Sequence, residues 1–147
     1  MSSMKVIGLI IFLGLGWSAL SQSKEEVKQA NKLFKQEAYE DAMPLYQKFL
    51  TIDPTNKEYA YKFGCCLVML NKNNDKALEY LLAAKKQGKS DKEVAYFIGR
   101  AYENKGDYEK AVEQYEKFTE AADKEQIKQL KIKKRIKSCK KALKSAE

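Results

Sequence analysis

Few groups in this chain can do covalent chemistry. Cys65 and Cys66 are adjacent, Cys139 stands near the C-terminus, and histidine is absent from all 147 residues. Neighbouring residues on a helix point about 100° apart, so Cys65 and Cys66 are poor disulfide partners. Cys139 is too far along the chain to be an expected partner for either. The three read as small apolar packing residues, and their odd count leaves an intermolecular disulfide open. Without imidazole or a C-x-x-C spacing, the chain lacks the usual groups for zinc binding and general-base catalysis. Asp and Glu fall on what read as solvated helix faces, and no Gly-rich phosphate loop occurs. No catalytic, cofactor or metal site is expected, and the chain does not read as an enzyme. What remains is binding chemistry.

The charge available for binding is unevenly placed. The net charge is +8, yet residues 22–123 carry 17 basic and 18 acidic side chains. Residues 124–147 carry 10 basic and 2 acidic ones. Within that last stretch Ile132, Ile136, Cys139 and Leu143 form one apolar stripe at helical spacing, with Lys133, Lys134, Arg135 and Lys137 on the other faces. This reads as a single capping helix over 124–145. Its cations are either simply solvated or drawn to an anionic partner or acidic headgroups. Nucleic acid is not expected, because the helix has no aromatic residue to stack on bases. Membrane contact is expected to be peripheral at most.

The elements that position these residues follow from periodicity. Asp91–Lys105 and Tyr108–Ala121 read as two amphipathic helices, with Val94, Ala95, Ile98 and Tyr102 on one face of the first and Ala111, Tyr115 and Phe118 on the second. Gly106 can take φ > 0 and end the first helix, and Gly99 lets the paired backbones approach. The same layout recurs upstream. Ala30, Ala42 and Tyr46 mark one unit and Gly64, Ala77 and Leu81 another, with helices expected at Lys24–Gln36 and Tyr39–Ile52 in the first. Ala30 to Gly64 spans 34 residues and Gly64 to Gly99 spans 35, the extra residue falling in the Asn71–Asn74 turn. Pro44 is expected within the first turn of its helix, where a missing N–H has no partner to lose.

Residues 1–21 have a different character. Lys5 precedes the apolar run Val6–Leu20, which is short for a membrane span of about 20 apolar residues. With Ala19-Leu20-Ser21 following, it reads as a secretory signal cleaved after Ser21. Export to the periplasm or an outer-membrane-associated location is therefore expected.

The small–aromatic–Gly-Asp-Tyr–Ala–Tyr pattern of Asp91–Phe118 resembles the tetratricopeptide repeat, the helix-turn-helix unit of protein-binding solenoids. The implied fold is all-α: an α-solenoid of three repeats, about 23–56, 57–90 and 92–123, plus the cap, forming one domain over 22–147. In that family the first helix of each pair lines the concave, ligand-facing surface. Carried over, those positions are Val27, Asn31, Phe34 and Lys35, then Tyr61, Cys65, Val68 and Met69, then Tyr96, Arg100, Glu103 and Asn104. Tyr61 and Tyr96 would then share one groove beside Met69 and Arg100, residue types common at hot spots, or else merely cover helix seams. The groove lacks the run of Lys and Arg that captures a C-terminal carboxylate in some members.

Arg135-Ile136-Lys137-Ser138-Cys139-Lys140-Lys141-Ala142, with the order of parts, also resembles the N-terminal region of envelope proteins from Bacteroidetes-type bacteria. In those proteins the repeats precede a β-propeller and an OmpA-like domain, and some serve type IX secretion and gliding. This chain stops where the propeller would begin. The implied function is an exported scaffold binding a partner segment in its groove. The alternative is an envelope adaptor, of the type IX secretion or gliding kind, held through the basic helix to an anionic component: acidic lipid, or a peptidoglycan-associated or outer-membrane protein complex.

Overall fold

Residues 23–146 are described by a computed structural model. The signal segment expected at 1–21 lies outside the described residues. The elements are α1 (23–35), α2 (Tyr39–Ile52), α3 (Lys57–Met69), α4 (Asn74–Lys86), α5 (Asp91–Lys105), α6 (Tyr108–Ala121), α7 (Lys124–Gln129) and α8 (Ile132–Lys144). From α2 to α6 each helix packs on its sequence neighbour through a short turn, as an α-solenoid requires, and α8 packs on both α6 and α7. No helix among the described residues is long and apolar enough to cross a membrane.

Side-chain caps set most helix starts. Asn56 accepts from the N–H groups of Glu58 and Tyr59, and Asp107 accepts from Lys110. Ser90 with Glu93 and Asp123 with Gln126 form reciprocal capping boxes. The turns inside the three pairs share one geometry. Glu37, Asn71 and Gly106 each take positive φ, and the residue after each donates its N–H back to Leu33, Leu67 and Tyr102 at 3.0, 2.8 and 2.9 Å. In the middle pair Lys72 is the extra residue, lying between Asn71 and the N-cap Asn73.

Small residues set the spacing within each pair. A Cβ added to Gly99 would lie 2.8 Å from Cε1 of Tyr115, and one on Gly64 would lie 2.8 Å from Cγ of Leu81. The missing Cβ of Gly99 thus admits the Tyr115 ring, where sequence reasoning had only a close backbone approach. Fully buried Ala30 takes the matching place in α1. The core runs from Ala30 through Phe63, Leu81 and Ile98, then continues as Tyr115, Phe118, Ile132 and Cys139.

Two expectations need correction. Pro44 lies beyond the first turn, since α2 begins at Tyr39. Its missing N–H leaves the Glu40 carbonyl without its helical donor. Both residues face solvent, where water can replace it. The segment after Asp123 is two helices where one was expected. Lys131 adopts φ 53, ψ 35, which breaks the chain between α7 and α8. The bend brings Ile132 and Cys139 into the core against α6, and leaves Ile136 and Leu143 partly buried.

Replacing Gly99 by Ala should destabilise the chain by about 1–3 kcal/mol, because the buried Tyr115 ring has no room to retreat. Urea unfolding would measure it, with Gly106→Ala as a comparison that meets no neighbouring atom but strains a positive φ.

Candidate partner-binding face

The contacts among helices define an inner face. α3 touches α5 directly, while α2 and α4, and α4 and α6, make at most marginal contact. The first helices of the pairs therefore converge and the second helices splay, so α1, α3 and α5 line the concave side.

Side chains 30 to 32 residues apart tie this face together. Lys62 Nζ donates to Asn31 Oδ1 at 2.6 Å, linking α3 to α1. Glu58 pairs with Lys62 at 3.2 Å and with Lys89 at 2.8 Å. Lys89 also pairs with Glu93 at 2.8 Å and lies 4.6 Å over the Tyr61 ring. The Tyr61 hydroxyl donates to the Glu93 carbonyl at 3.2 Å, and its ring meets Phe97 edge-on. Burial raises Glu58, but the hydrogen bonds from Lys89 and Lys62 outweigh it and hold the carboxyl below its usual 4.5. Lys89 likewise sits above its usual 10.5, its two carboxylates outweighing burial.

A second knot ties α5 to the cap. Arg100 donates to the Tyr96 hydroxyl at 3.0 Å and faces the Met69 sulfur at 3.9 Å. Glu103 accepts from the Tyr115 hydroxyl at 2.5 Å and from Arg135 at 2.8 Å. Asn104 donates to the Val68 carbonyl and to Asn74, both at 3.1 Å. The Nε atoms of Arg100 and Arg135 are buried without a hydrogen-bond partner among the described residues, Arg100 Nε lying 4.0 Å from the Glu103 carboxylate.

These contacts sort the expected site residues. Asn31, Phe34, Tyr61, Met69, Arg100, Glu103 and Asn104 keep partly exposed edges on the concave side. Cys65 and Val68 have no exposed surface and Tyr96 keeps 7 %, so these three support the face from beneath. Tyr96 is drawn in by Phe97, Tyr115 and Phe118, whose rings lie 5.0 to 6.4 Å away. Val27 and Lys35 border a depression of about 560 Å³ along α1. Phe97 and Leu130 border an apolar notch of about 200 Å³ beside Tyr96. In the basic helix Lys133, Lys134 and Lys137 are exposed, whereas Arg135 is turned inward to Glu103.

Sequence reasoning missed Lys62, Glu58, Lys89 and Glu93. Their signal was present: opposite or hydrogen-bonding partners recur one repeat minus three residues apart. All three cysteines are buried and free. Burial raises each thiol, Cys66 to about 12, which keeps them protonated and unreactive at neutral pH. No cluster of metal-ligating side chains occurs among the described residues.

Known proteins share this fold. Residues 92–125, covering α5, α6 and the start of α7, match the family model described as tetratricopeptide repeat. The Sgt2 TPR domain from Aspergillus fumigatus is similar with a TM-score of 0.63 and 22 % identity, over 85 % of this chain and 81 % of that one. The first TPR of Spaghetti (RPAP3), bound to the HSP90 peptide SRMEEVD, is similar with a TM-score of 0.64 and 22 % identity, over 84 % and 94 %. The Yersinia enterocolitica chaperone SycD, in complex with a peptide of the translocator YopD, gives 0.64 and 16 %, over 82 % and 93 %. No curated protein matches the sequence significantly. The chain thus has the all-α solenoid fold of tetratricopeptide repeats.

The Lys89 ladder predicts a pH signature. Glu58 and Glu93 sit below 4.5, so their contribution is present above 4.5 and lost as pH falls through their folded values. Lys89 sits above 10.5, so its share is present below 10.5 and lost only as pH rises through its folded value. Lys89→Met should lower stability by about 1 kcal/mol at neutral pH, since its carboxylates are nearly half exposed. The difference from wild type should shrink as pH drops below 4.5, which urea unfolding across pH would follow.

Proposed function

We propose that the chain is an exported interaction scaffold that binds a segment of a partner protein along α1, α3 and α5. The carrying observation is a concave face whose side chains are held by repeat-to-repeat hydrogen bonds and ion pairs, with edges of Tyr61, Met69 and Arg100 left open. A surface fixed before binding loses little conformational entropy when a segment docks. Two proteins of this fold hold peptides, an HSP90 peptide in one and a YopD peptide in the other, which supports the same use here. Burial keeps the three thiols protonated, so they do not serve this face as nucleophiles. Export rests on the apolar run at 6–20, and the likeness to Bacteroidetes envelope proteins supports a partner in the periplasm or an outer-membrane complex.

A second reading, an adaptor held to an anionic envelope component by the basic helix, is favoured by one observation. Lys133, Lys134 and Lys137 are exposed and make no ion pair among the described residues.

A photo-cross-linking side chain at Met69, on the concave side, should capture one partner from an envelope extract. The same group at Leu82, exposed on the splayed helices, should not. Equal capture from both positions, or capture from Leu82 alone, would overturn the concave-face reading.

A further inference from the structure

Where α7 meets α8, five lysines surround one cleft. Lys124 and Lys128 of α7, Lys131 at the turn, and Lys133 and Lys134 of α8 enclose about 380 Å³, with Ile127 as the apolar lining. Within 124–146 the ion pairs among the described residues are Arg135 with Glu103 and Lys140 with Glu116, so none of the five has a carboxylate partner. An adjoining cleft of about 250 Å³ shares Lys131 and Lys134, and its other walls are Glu103, Arg135 and Ser138. Glu103 is already engaged by Arg135 and Tyr115, so it does not neutralise the lysines. Five like charges around one concavity repel one another, and an anion entering would relieve that repulsion.

Lys131 joins the two clefts. Its φ of 53° makes the bend between α7 and α8, and its side chain borders both.

We propose that this corner is a binding site for an acidic peptide segment, a short run of Asp or Glu side chains on a partner. The volume equals about a dozen waters, more than one carboxylate needs. Lysines are flexible point charges, suited to several carboxylates without a fixed bidentate geometry. A bilayer is disfavoured because α8 turns Ile132 and Cys139 onto α6, leaving no apolar face to insert. Nucleic acid is disfavoured because no aromatic residue lines the cleft. The site stands apart from the concave-face reading, although Glu103 and Arg135 join the two surfaces and would let one bound segment cross both.

The test uses the full chain and a fluorescent hexaglutamate peptide, read by anisotropy at about 0.15 M salt, where surface charges are screened beyond about 8 Å. Wild type should bind it, and the hexaglutamine peptide should not bind. Lys131→Gly with Lys134→Gln should weaken binding about tenfold, the scale expected for two close charge contacts. Lys137→Gln with Lys141→Gln, an equal charge loss outside the cleft, should weaken it less than about threefold. Lys131→Gly alone should raise the melting temperature while lowering affinity, which a purely structural lysine would not do. Equal weakening by both pairs would reduce the effect to net charge and overturn the site. So would hexaglutamine binding, no hexaglutamate binding by wild type, or tighter capture by phosphatidylglycerol vesicles than by the peptide.

Discussion

Everything in this fold depends on how closely two helices can lie within a pair. Tyr115 fits over Gly99 because no Cβ stands in its way, and Leu81 fits over Gly64 for the same reason. Those contacts fix the tilt of each pair and bring α3 against α5 while the outer helices splay. A solenoid of this kind buries each apolar face only on its neighbours, so an error in one pair is passed to the next.

The convergence has an electrostatic consequence. Once α1, α3 and α5 lie side by side, Asn31 meets Lys62, Glu58 meets Lys89 and Met69 meets Arg100 at nearly constant sequence separation. Each exposed pair is worth little by itself. Together they hold the concave side chains in place, and the Glu103–Arg135 pair extends the arrangement to α8. The α7–α8 bend then turns the apolar stripe of α8 inward and leaves most of its lysines outward, which concentrates positive charge at one end of the molecule.

Much of this was legible in the sequence. The bounds of α2, α5 and α6 follow from apolar spacing and from Gly106, and the extra residue of the middle turn was visible as a 35-residue interval. The concave positions were assignable by helix register, but register does not report depth. Cys65 and Tyr96 share register positions with partly exposed residues of the other repeats, and only the rings of Phe97, Tyr115 and Phe118 reveal that Tyr96 is covered. The break at Lys131 was hidden for a different reason. Lysine carries no turn signal, and the i, i+3, i+4 stripe of Ile132, Ile136, Cys139 and Leu143 reads the same whether or not a bend precedes it. Pro44 misled although the start at Tyr39 was legible, because it is the sixth residue of α2 and so lies past the N–H groups that have no helical partner.

A partner segment should lie on the converging helices, on a surface already formed. Amide hydrogen exchange on the full chain, alone and bound to the segment recovered by cross-linking, tests it most directly. Binding there should add protection in α1, α3 and α5, with exchange in α2 and α4 unchanged. Protection confined to α2, α4 and α6, or inner helices that exchange freely until the segment arrives, would contradict it.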